Sequence, residues 1–536
     1  MRTTVSKPVI NERPAIYADR LGIEYSYAVT HEHKKKLGQF FTPISVANFM
    51  SEFADGIRTN KIKLLDPGCG TGVLACAVIE RLVQLNSSLE EVDLVAFESD
   101  VELLVFTDAV FEYLHKWLSQ KKIKFRFFLC KNDFILHNSS ILSNNVDPLE
   151  KYNIVITNPP YFKIKKEDKR AEAARSVIYG QTNIYSIFLL IAARLLDEGG
   201  ILIFITPRSF SSGNYFKLFR EKFFELLEIT NIHLFVSRRE TFERDKVLQE
   251  NIVVSAKKKR EVFQNQLELL FSRTILPNIE ISTSNSINDI ENRIINEYQF
   301  SDLVNLKSEQ KIIHIPISDN DRKAIRLFKT WAFTLVDFGM RISTGPVVDF
   351  RSTDFIRNVQ EKNTVPLIYL HNVDKMIFKW PSDRKAKGKH KGEYLIYNSH
   401  SFSRLVLNRN YILLRRFSSK EDSSRLVASP YFAEWLRQFS MLGIENHLNY
   451  IYRKDGDLHK SEVVGLAGLL NSKLFDVYFR TFNGNINVSA TELRNLPLPS
   501  LQEIKKIGEQ ILKKSSGCDQ NFIDQIVQDK FAIDLR

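Results

Sequence analysis

From about residue 62 to residue 256 two hydrophobic rhythms alternate along the chain. Short unbroken apolar runs, at Lys63–Leu65, Asp93–Phe97, Asn153–Ile156 and Ile201–Ile205, read as strands buried on both faces. Between them, Val73–Leu85 and Tyr185–Leu196 repeat apolar residues at the helical period. Strands buried on both faces and separated by helices predict an α/β fold with a doubly wound parallel sheet. Gly199 and Gly200 are expected to stop the second helix before the Ile201 strand. Upstream, Thr42-Pro43 opens a helix that carries Val46, Phe49, Met50 and Phe53 on one face. Residues 276 to 322 break the pattern: the stretch is polar, rich in Asn and Ser, and weakly periodic, as in a connecting region. From about residue 330 the chain is again apolar and aromatic, with Trp331, Trp380 and Trp435, but without β–α alternation. The expected division is 1–270 for the α/β unit with its N-terminal helix, 271–330 for the connection, and 331–536 for a second unit of mixed α+β structure.

The length of 536 residues supports this division, because one hydrophobic core rarely serves so long a chain. The net charge of +12 favours a polyanionic partner, nucleic acid before membrane. The cysteines, Cys69, Cys76, Cys130 and Cys518, form no CxxC pair, so no metal site is expected. So few cysteines suit a reducing cytoplasm. The first residues lack the apolar run of a secretory signal, and no stretch reaches the roughly 18 to 20 apolar residues of a membrane span.

Chemistry enters at "KLLDPGCGTGVLACAVIERL", a strand, a Gly-rich turn and a helix. Glycines at 68, 70 and 72 let backbone approach a ligand closely at a helix N-terminus. The spacing is GxGxG, which weakens a nicotinamide reading, since that fingerprint is GxGxxG. Asp66 at the strand tip repels a pyrophosphate but can pair with an ammonium, and S-adenosylmethionine has an amino group and no phosphate. Glu98 ends the next strand, where an acid accepts hydrogen bonds from ribose hydroxyls. Asp133 and Phe134, in "CKNDFIL", suit an adenine amino group and a ring face. Each of these residues taken alone is equally a turn, a surface acid or a cap; three acids at successive tips after one Gly loop make coincidence much less plausible. The Phe40–Pro43 turn, with Phe41 and Thr42, is expected to close over the methionine end of that cofactor, although a plain packing helix fits the same residues.

In "YNIVITNPPYFKIKK" two prolines end a buried strand, because they cannot donate to a sheet ladder. The Asn158 side-chain oxygen and the Pro159 carbonyl can both accept from one NH2 group. Pro159 and Pro160 preorganise those acceptors, and Tyr161 offers a ring face to a planar target. Such an arrangement suits methylation of a poorly nucleophilic nitrogen without a metal. Lys163, Lys165 and Lys166 lie beside it and suit phosphates, or form a solvated charge run.

The order FFTP, DPGCGTG, Glu98, NDF, NPPY resembles the TaqI-like, γ-class N6-adenine DNA methyltransferases of restriction–modification systems, over about residues 30 to 260. The resemblance implies a Rossmann-like S-adenosylmethionine-dependent methyltransferase domain. It implies that Phe41, Thr42, Asp66, Pro67, Gly68, Cys69, Gly70, Glu98, Asp133, Phe134 and Asn158 meet the cofactor or lie against it. It also implies that Phe242, in "RETFERDKVLQENIVVSAKK", sandwiches a flipped adenine against Tyr161. The stretches "FGMRISTGPVVDFR", "NYILLRRFSSKEDSSRLVAS" and "FNGNINVSATELRNLPLP" resemble the target-recognition half of PstI/BsuBI-type enzymes. Within it, Arg415 and Arg416 fall on opposite faces of a strand, so one could read a guanine edge. Lys385, Lys387, Lys389 and Lys391 suggest a phosphate-contacting loop.

The expected activity is therefore N6-adenine methylation of duplex DNA. Rivals are an RNA-base or protein-glutamine methyltransferase and a non-catalytic DNA-specificity module. About 30 residues before FFTP are too few for a fused nuclease, so a separate restriction endonuclease is the expected functional partner of a monomer or weak dimer in the cytoplasm.

Overall fold

The computed structural model describes residues 5–143, 148–178, 183–236, 250–260, 278–382, 392–418, 422–484, 486–514 and 519–535. They form two compact units, Met1–Ile317 and Ser318–Arg536.

The first unit opens with three helices, α1 (Pro14–Ala28), α2 (His31–Leu37) and α3 (Ile44–Glu52). The expected alternation follows: β1 (Lys61–Pro67), α4 (Val73–Leu85), β2 (Glu91–Phe97), α5 (Leu104–Gln120) and β3 (Lys124–Cys130). The short helices α6 (Phe134–His137) and α7 (Ser139–Ser143) lead to β4 (Tyr152–Thr157). Next come α8 (Lys169–Ala173), α9 (Ile184–Leu195), β5 (Leu196–Pro207), α10 (Lys217–Leu226), β6 (Leu227–Phe235), β7 (Asn251–Lys258), β8 (Asn278–Ser284) and β9 (Ile294–Gln299). The nine strands form one sheet in the order β3-β2-β1-β4-β5-β7-β6-β8-β9. β3, β2, β1, β4 and β5 are parallel, as the alternation predicts. The sheet is nonetheless mixed rather than wholly parallel, because β7 lies between β5 and β6 and is antiparallel to both. One core cluster, with Ile62, Leu64, Val78 and Phe111, covers one face of the sheet, and another, with Val155, Leu189, Phe204 and Phe223, covers the other.

Two expectations need correction. Gly199 and Gly200 do not separate helix from strand, because α9 ends at Leu195 and β5 already runs through them. Gly199 has φ +74°, and the β4–β5 register shifts between Tyr152 and Ile154. A Cβ on Gly200 would sit 3.0 Å from the carbonyl oxygens of both Tyr152 and Asn153. The pair makes a bulge in which Gly199 takes the positive φ and Gly200 leaves no room for a side chain. Nor is residue range 271–330 a connecting region throughout, since β8 and β9 extend the sheet and the unit boundary falls at Ile317. The polar composition misleads because the β8 serines are buried in pairs: Ser282 Oγ lies 2.9 Å from His233 Nδ1 and Ser284 Oγ 3.1 Å from Nε2. Ile279 and Ile281 of the same strand enter the core.

The second unit contains a four-stranded antiparallel sheet, in which Leu448–Arg453 lies between Met340–Thr344 and Tyr411–Arg415, with Ala428–Tyr431 beyond the latter. A five-stranded mixed sheet and the helices Lys460–Asn471 and Leu501–Lys513 complete its main elements. No helix among the described residues is long and apolar enough to cross a membrane.

Candidate active site

The carboxyl ends of β1, β2, β3 and β4 surround a cavity of about 280 Å³, near the lower end of the roughly 300–1,000 Å³ usual for small-molecule sites. The Gly loop forms its floor. Gly68 and Gly70 have φ +98° and +57°, which a side chain at either position would strain. The N–H groups of Gly68 and Cys69 both donate to the Phe97 carbonyl at 2.9 Å, tying the loop to the end of β2. Glu98 stands next to that anchor. Its Oε2 accepts from Gly70 N at 3.1 Å and its Oε1 from Asp100 N at 2.7 Å. Burial drives its carboxyl up to about 7, with the nearby Asp100 charge adding to the shift. Phe97, Phe134, Ile184 and Phe188 give the cavity apolar walls, and Asn132 and Asp133 add polar groups at the tip of β3.

The Asn-Pro-Pro-Tyr tip closes one end. Asn158 Nδ2 donates to the Phe40 carbonyl at 2.9 Å and to Thr42 Oγ1 at 3.0 Å. The Tyr161 hydroxyl lies 2.5 Å from Asn158 Oδ1 and 2.8 Å from the Ile205 carbonyl. Burial keeps that phenol protonated, well above its ordinary range. The Tyr161 ring stacks on Phe40, with centroids 5.7 Å apart, and meets Tyr185 edge-on at 6.3 Å. Strand β4 stops here because the two prolines that follow cannot donate to the ladder, and Thr157 Oγ1 ties its end to β1 by donating to the Pro67 carbonyl at 3.1 Å.

Phe41, Gly68, Gly70, Glu98, Asp133, Phe134, Asn158 and Pro160 line the cavity. Asp133 has a structural task too, accepting from Leu136 N at 3.0 Å to cap α6. Thr42, Asp66, Pro67 and Cys69, expected to meet the cofactor or lie against it, are not among the residues that line the cavity, and neither are Pro159 and Tyr161, expected to face the target base. Asp66 is wholly buried and neither of its carboxylate oxygens has a hydrogen-bond partner. Burial lifts its carboxyl well above the usual range, with the nearby Glu98 charge adding to the shift.

Other lining residues were not anticipated. Arg170 enters from α8, 2.6 Å from Asp168 and 3.7 Å from Asp133; only the basic run around it hinted at this. Gln39 reaches the cavity through buried Asp100, which accepts its Nε2 at 2.8 Å, meets His33 Nε2 at 2.9 Å and accepts the Tyr25 hydroxyl. Burial alone would raise the Asp100 carboxyl, but these hydrogen bonds hold it below its ordinary value. Asp100 thereby fastens α1, α2 and the segment after them to the tip of β2.

Phe242 and Lys385, Lys387, Lys389 and Lys391 lie outside the described residues. Lys163 sits 5.8 Å from the ring centroid of exposed Tyr215, and Lys165 lies on the rim of a shallow neighbouring pocket; nothing further distinguishes Lys166. In the second unit Arg415 ends its strand and its Nε donates to the Val373 carbonyl at 2.7 Å, while Arg416, just beyond the strand, donates to the Asn446 carbonyl at 3.0 Å and lies over Phe417. No group of three or more His, Cys, Asp or Glu able to hold a metal occurs among the described residues.

A Gly loop feeding a helix, an acid at the next strand tip and an Asn-Pro-Pro-Tyr tip on a Rossmann-like sheet define an S-adenosylmethionine-dependent methyltransferase. Residues 99–242 match the model of the Eco57I restriction-modification methylase family. The type II methyltransferase M.BsuBI of Bacillus subtilis is 31% identical over 507 residues, covering 93% of this chain and 94% of the relative. M.PstI of Providencia stuartii is 31% identical over 501 residues and 92% of each. In fold, the type IIL restriction–modification enzyme MmeI, solved in complex with DNA, is similar at TM-score 0.50 and 12% identity, covering 98% of this chain and 79% of that one. The chain belongs to the type II methyltransferases of restriction–modification systems, and it is a DNA-methylating enzyme.

Proposed function

We propose that this enzyme methylates N6 of an adenine turned out of duplex DNA, within a short sequence chosen by the second unit. The observation that carries the reading is Asn158: its two amide hydrogens are spent on Phe40 and Thr42, so its oxygen is presented at the end of the cavity as an acceptor.

The cavity fits the cofactor. Glu98 keeps carboxylate lone pairs beyond its two backbone bonds and suits a vicinal diol. The apolar walls suit a purine, with Asp133 and Asn132 within the same cavity for its amino group. The side-chain-free loop admits close approach of the amino-acid portion. Bound there, S-adenosylmethionine supplies a methyl group on a positively charged sulfur. Asn158 Oδ1 has a second lone pair beside the Tyr161 contact and accepts one N–H of the target amine, while the Pro159 carbonyl accepts the other. These bonds pull the nitrogen out of conjugation and aim its lone pair at the methyl carbon. As the new C–N bond forms, the C–S pair leaves with sulfur, and the nitrogen sheds one proton to solvent. An adenine must leave the helix for this, because its N6 is inaccessible in the stack.

We read the sites of Phe41, Gly68, Gly70, Glu98, Asp133 and Phe134 as cofactor contacts, and Lys163, Lys165 and Lys166 as phosphate contacts. We also assign the residues before about 317 to cofactor and chemistry and those after to site choice. A separate restriction endonuclease, cytoplasmic location, and a monomeric or weakly dimeric state complete the proposal. The test is transfer of tritiated methyl to duplex DNA, RNA and protein, followed by nucleoside analysis. Label in N6-methyladenine from duplex DNA alone is the expected result; label in cytosine, RNA or protein would overturn it.

A further inference from the structure

We propose that Thr42 is a positioning residue for Asn158, setting the plane of its side-chain amide so that the oxygen meets the target amine. The inference rests on the catalytic reading of Asn158 given above.

An asparagine amide has two ends of nearly equal shape and opposite hydrogen-bonding sense. Its last torsion joins an sp3 to an sp2 carbon and has broad, shallow minima, so rotamer preference alone does not hold its plane. Were the amide reversed, its NH2 would face the amine of the target and two donors would confront each other. Were it merely twisted, the oxygen would leave the line of the N–H bond. Partners must therefore determine the plane.

The structure supplies both partners of the amide nitrogen from one segment, while the oxygen takes the Tyr161 hydroxyl. The Phe40 carbonyl can only accept, so the atom 2.9 Å from it must be the nitrogen. That contact settles which end is which, and the Tyr161 hydroxyl holds the oxygen end at 2.5 Å, but these two leave one N–H of the amide unpaired and the amide able to turn about the line between them. Thr42 Oγ1, at 3.0 Å from the same nitrogen, is a further fixed point and takes the second hydrogen. Two acceptors on a planar NH2 determine the plane. Both lie over a hundred residues from Asn158 in sequence, so the arrangement is tertiary.

Thr42 has no competing task. It immediately precedes α3 and its N-cap Pro43, yet no side chain caps that helix. Thr42 is buried, and among the described residues its hydroxyl has no hydrogen-bond partner other than Asn158. It is not a cavity-lining residue, unlike Phe41 beside it. The Phe40–Pro43 segment thus divides its work. Phe41 faces the cofactor cavity, while the Phe40 carbonyl and the Thr42 hydroxyl face the catalytic amide.

The experiment compares Thr42→Val, which keeps the shape and removes the acceptor, with Thr42→Ser, which keeps the hydroxyl. Single-turnover transfer of tritiated methyl from S-adenosylmethionine to unmethylated plasmid DNA gives the rate, and isothermal titration gives cofactor affinity on the same samples. Thr42→Val should slow transfer about tenfold or more, since small misplacement of a reacting group costs up to about a hundredfold. Cofactor affinity should be unchanged, and Thr42→Ser should restore most of the rate. Thr42→Ala repeats the measurement should valine disturb packing. In an Asn158→Ala background, Thr42→Val should have no further effect, because it acts through Asn158. A wild-type rate for Thr42→Val, a defect confined to cofactor binding, or the same slowing on top of a slow Asn158→Ala would each overturn the proposal while leaving the catalytic reading standing. A wild-type rate for Asn158→Ala itself would withdraw that reading, and the proposal with it.

Discussion

Lowering the pH through 7 is expected to weaken S-adenosylmethionine binding to the free enzyme, through Glu98. The carboxyl is buried, and its midpoint is pushed up to about 7. Two of its lone pairs are committed to the N–H groups of Gly70 and Asp100. Accepting two ribose hydroxyls as well needs the carboxylate, since a protonated acid gives up an acceptor position to its own hydrogen. The sign follows: the competent form is the one present above the midpoint, and it is lost as the pH falls. With a midpoint of about 7, roughly nine-tenths of the free enzyme is ionised at pH 8 and one-tenth at pH 6, so the affinity should drop about tenfold across that interval. The ligand's own amine, near pH 8, would act in the opposite direction if its ammonium is the bound form. Glu98→Gln removes the titration. It also sets an amide NH2 against one of the two backbone N–H groups, an unmet buried donor worth about 1–3 kcal/mol. The variant should bind weakly at every pH and lose the downward slope below 7. Isothermal titration of both proteins between pH 6 and 8 is the assay. A wild-type affinity that does not fall towards pH 6, or a Glu98→Gln variant with the same slope, would remove the Glu98 carboxylate from cofactor binding.

Asn158→Ala should leave cofactor affinity nearly intact and slow single-turnover methylation by about a hundredfold or more, the scale for losing a preorganised polar contact; near-normal turnover would remove Asn158 from the chemistry. His233 is buried between two serines, and burial depresses its imidazole to about 3, so the fold holds it neutral. Stability is therefore complete above its unfolded value of about 6.5 and is lost as the pH falls, by about 2 kcal/mol at pH 5. Urea midpoints at pH 7 and 5 measure this, and His233→Gln should reduce the slope. Arg416→Ala should relax site choice by about 1–3 kcal/mol at one base pair if it reads a base edge, seen by sequencing methylated positions in DNA from expressing cells. Arg415→Ala, which removes the bond to the Val373 carbonyl, should lower thermal stability and leave the methylated sequence unchanged.

The sequence by itself determined what depends on near neighbours. The alternation of apolar runs and helical periods placed α4, β4 and α9 to within a residue at each end and β1 and β2 to within two, because burial on both faces and the 3.6-residue period act within a single element. The Gly loop, Glu98 and the Asn-Pro-Pro-Tyr tip were legible for the same reason: positive φ, strand termination and acceptor geometry are properties of a few consecutive residues. What needed the tertiary structure was every decision about partners. That Ser282 and Ser284 are core residues depends on His233 from another strand, so a polar stretch passed for a connection. Asp66 reads in the sequence as an acid at a strand tip, and only the fold shows that it is wholly buried. Asp100 gave no local signal, because its meaning lies in Tyr25, His33 and Gln39, between 61 and 75 residues away. Thr42 was read with its neighbours, as part of a cofactor lid, whereas its hydrogen bond reaches 116 residues along the chain to Asn158. A hydroxyl or carboxylate has the same covalent structure wherever it stands; folding chooses the donor it faces and whether water can reach it, and that choice sets its chemistry.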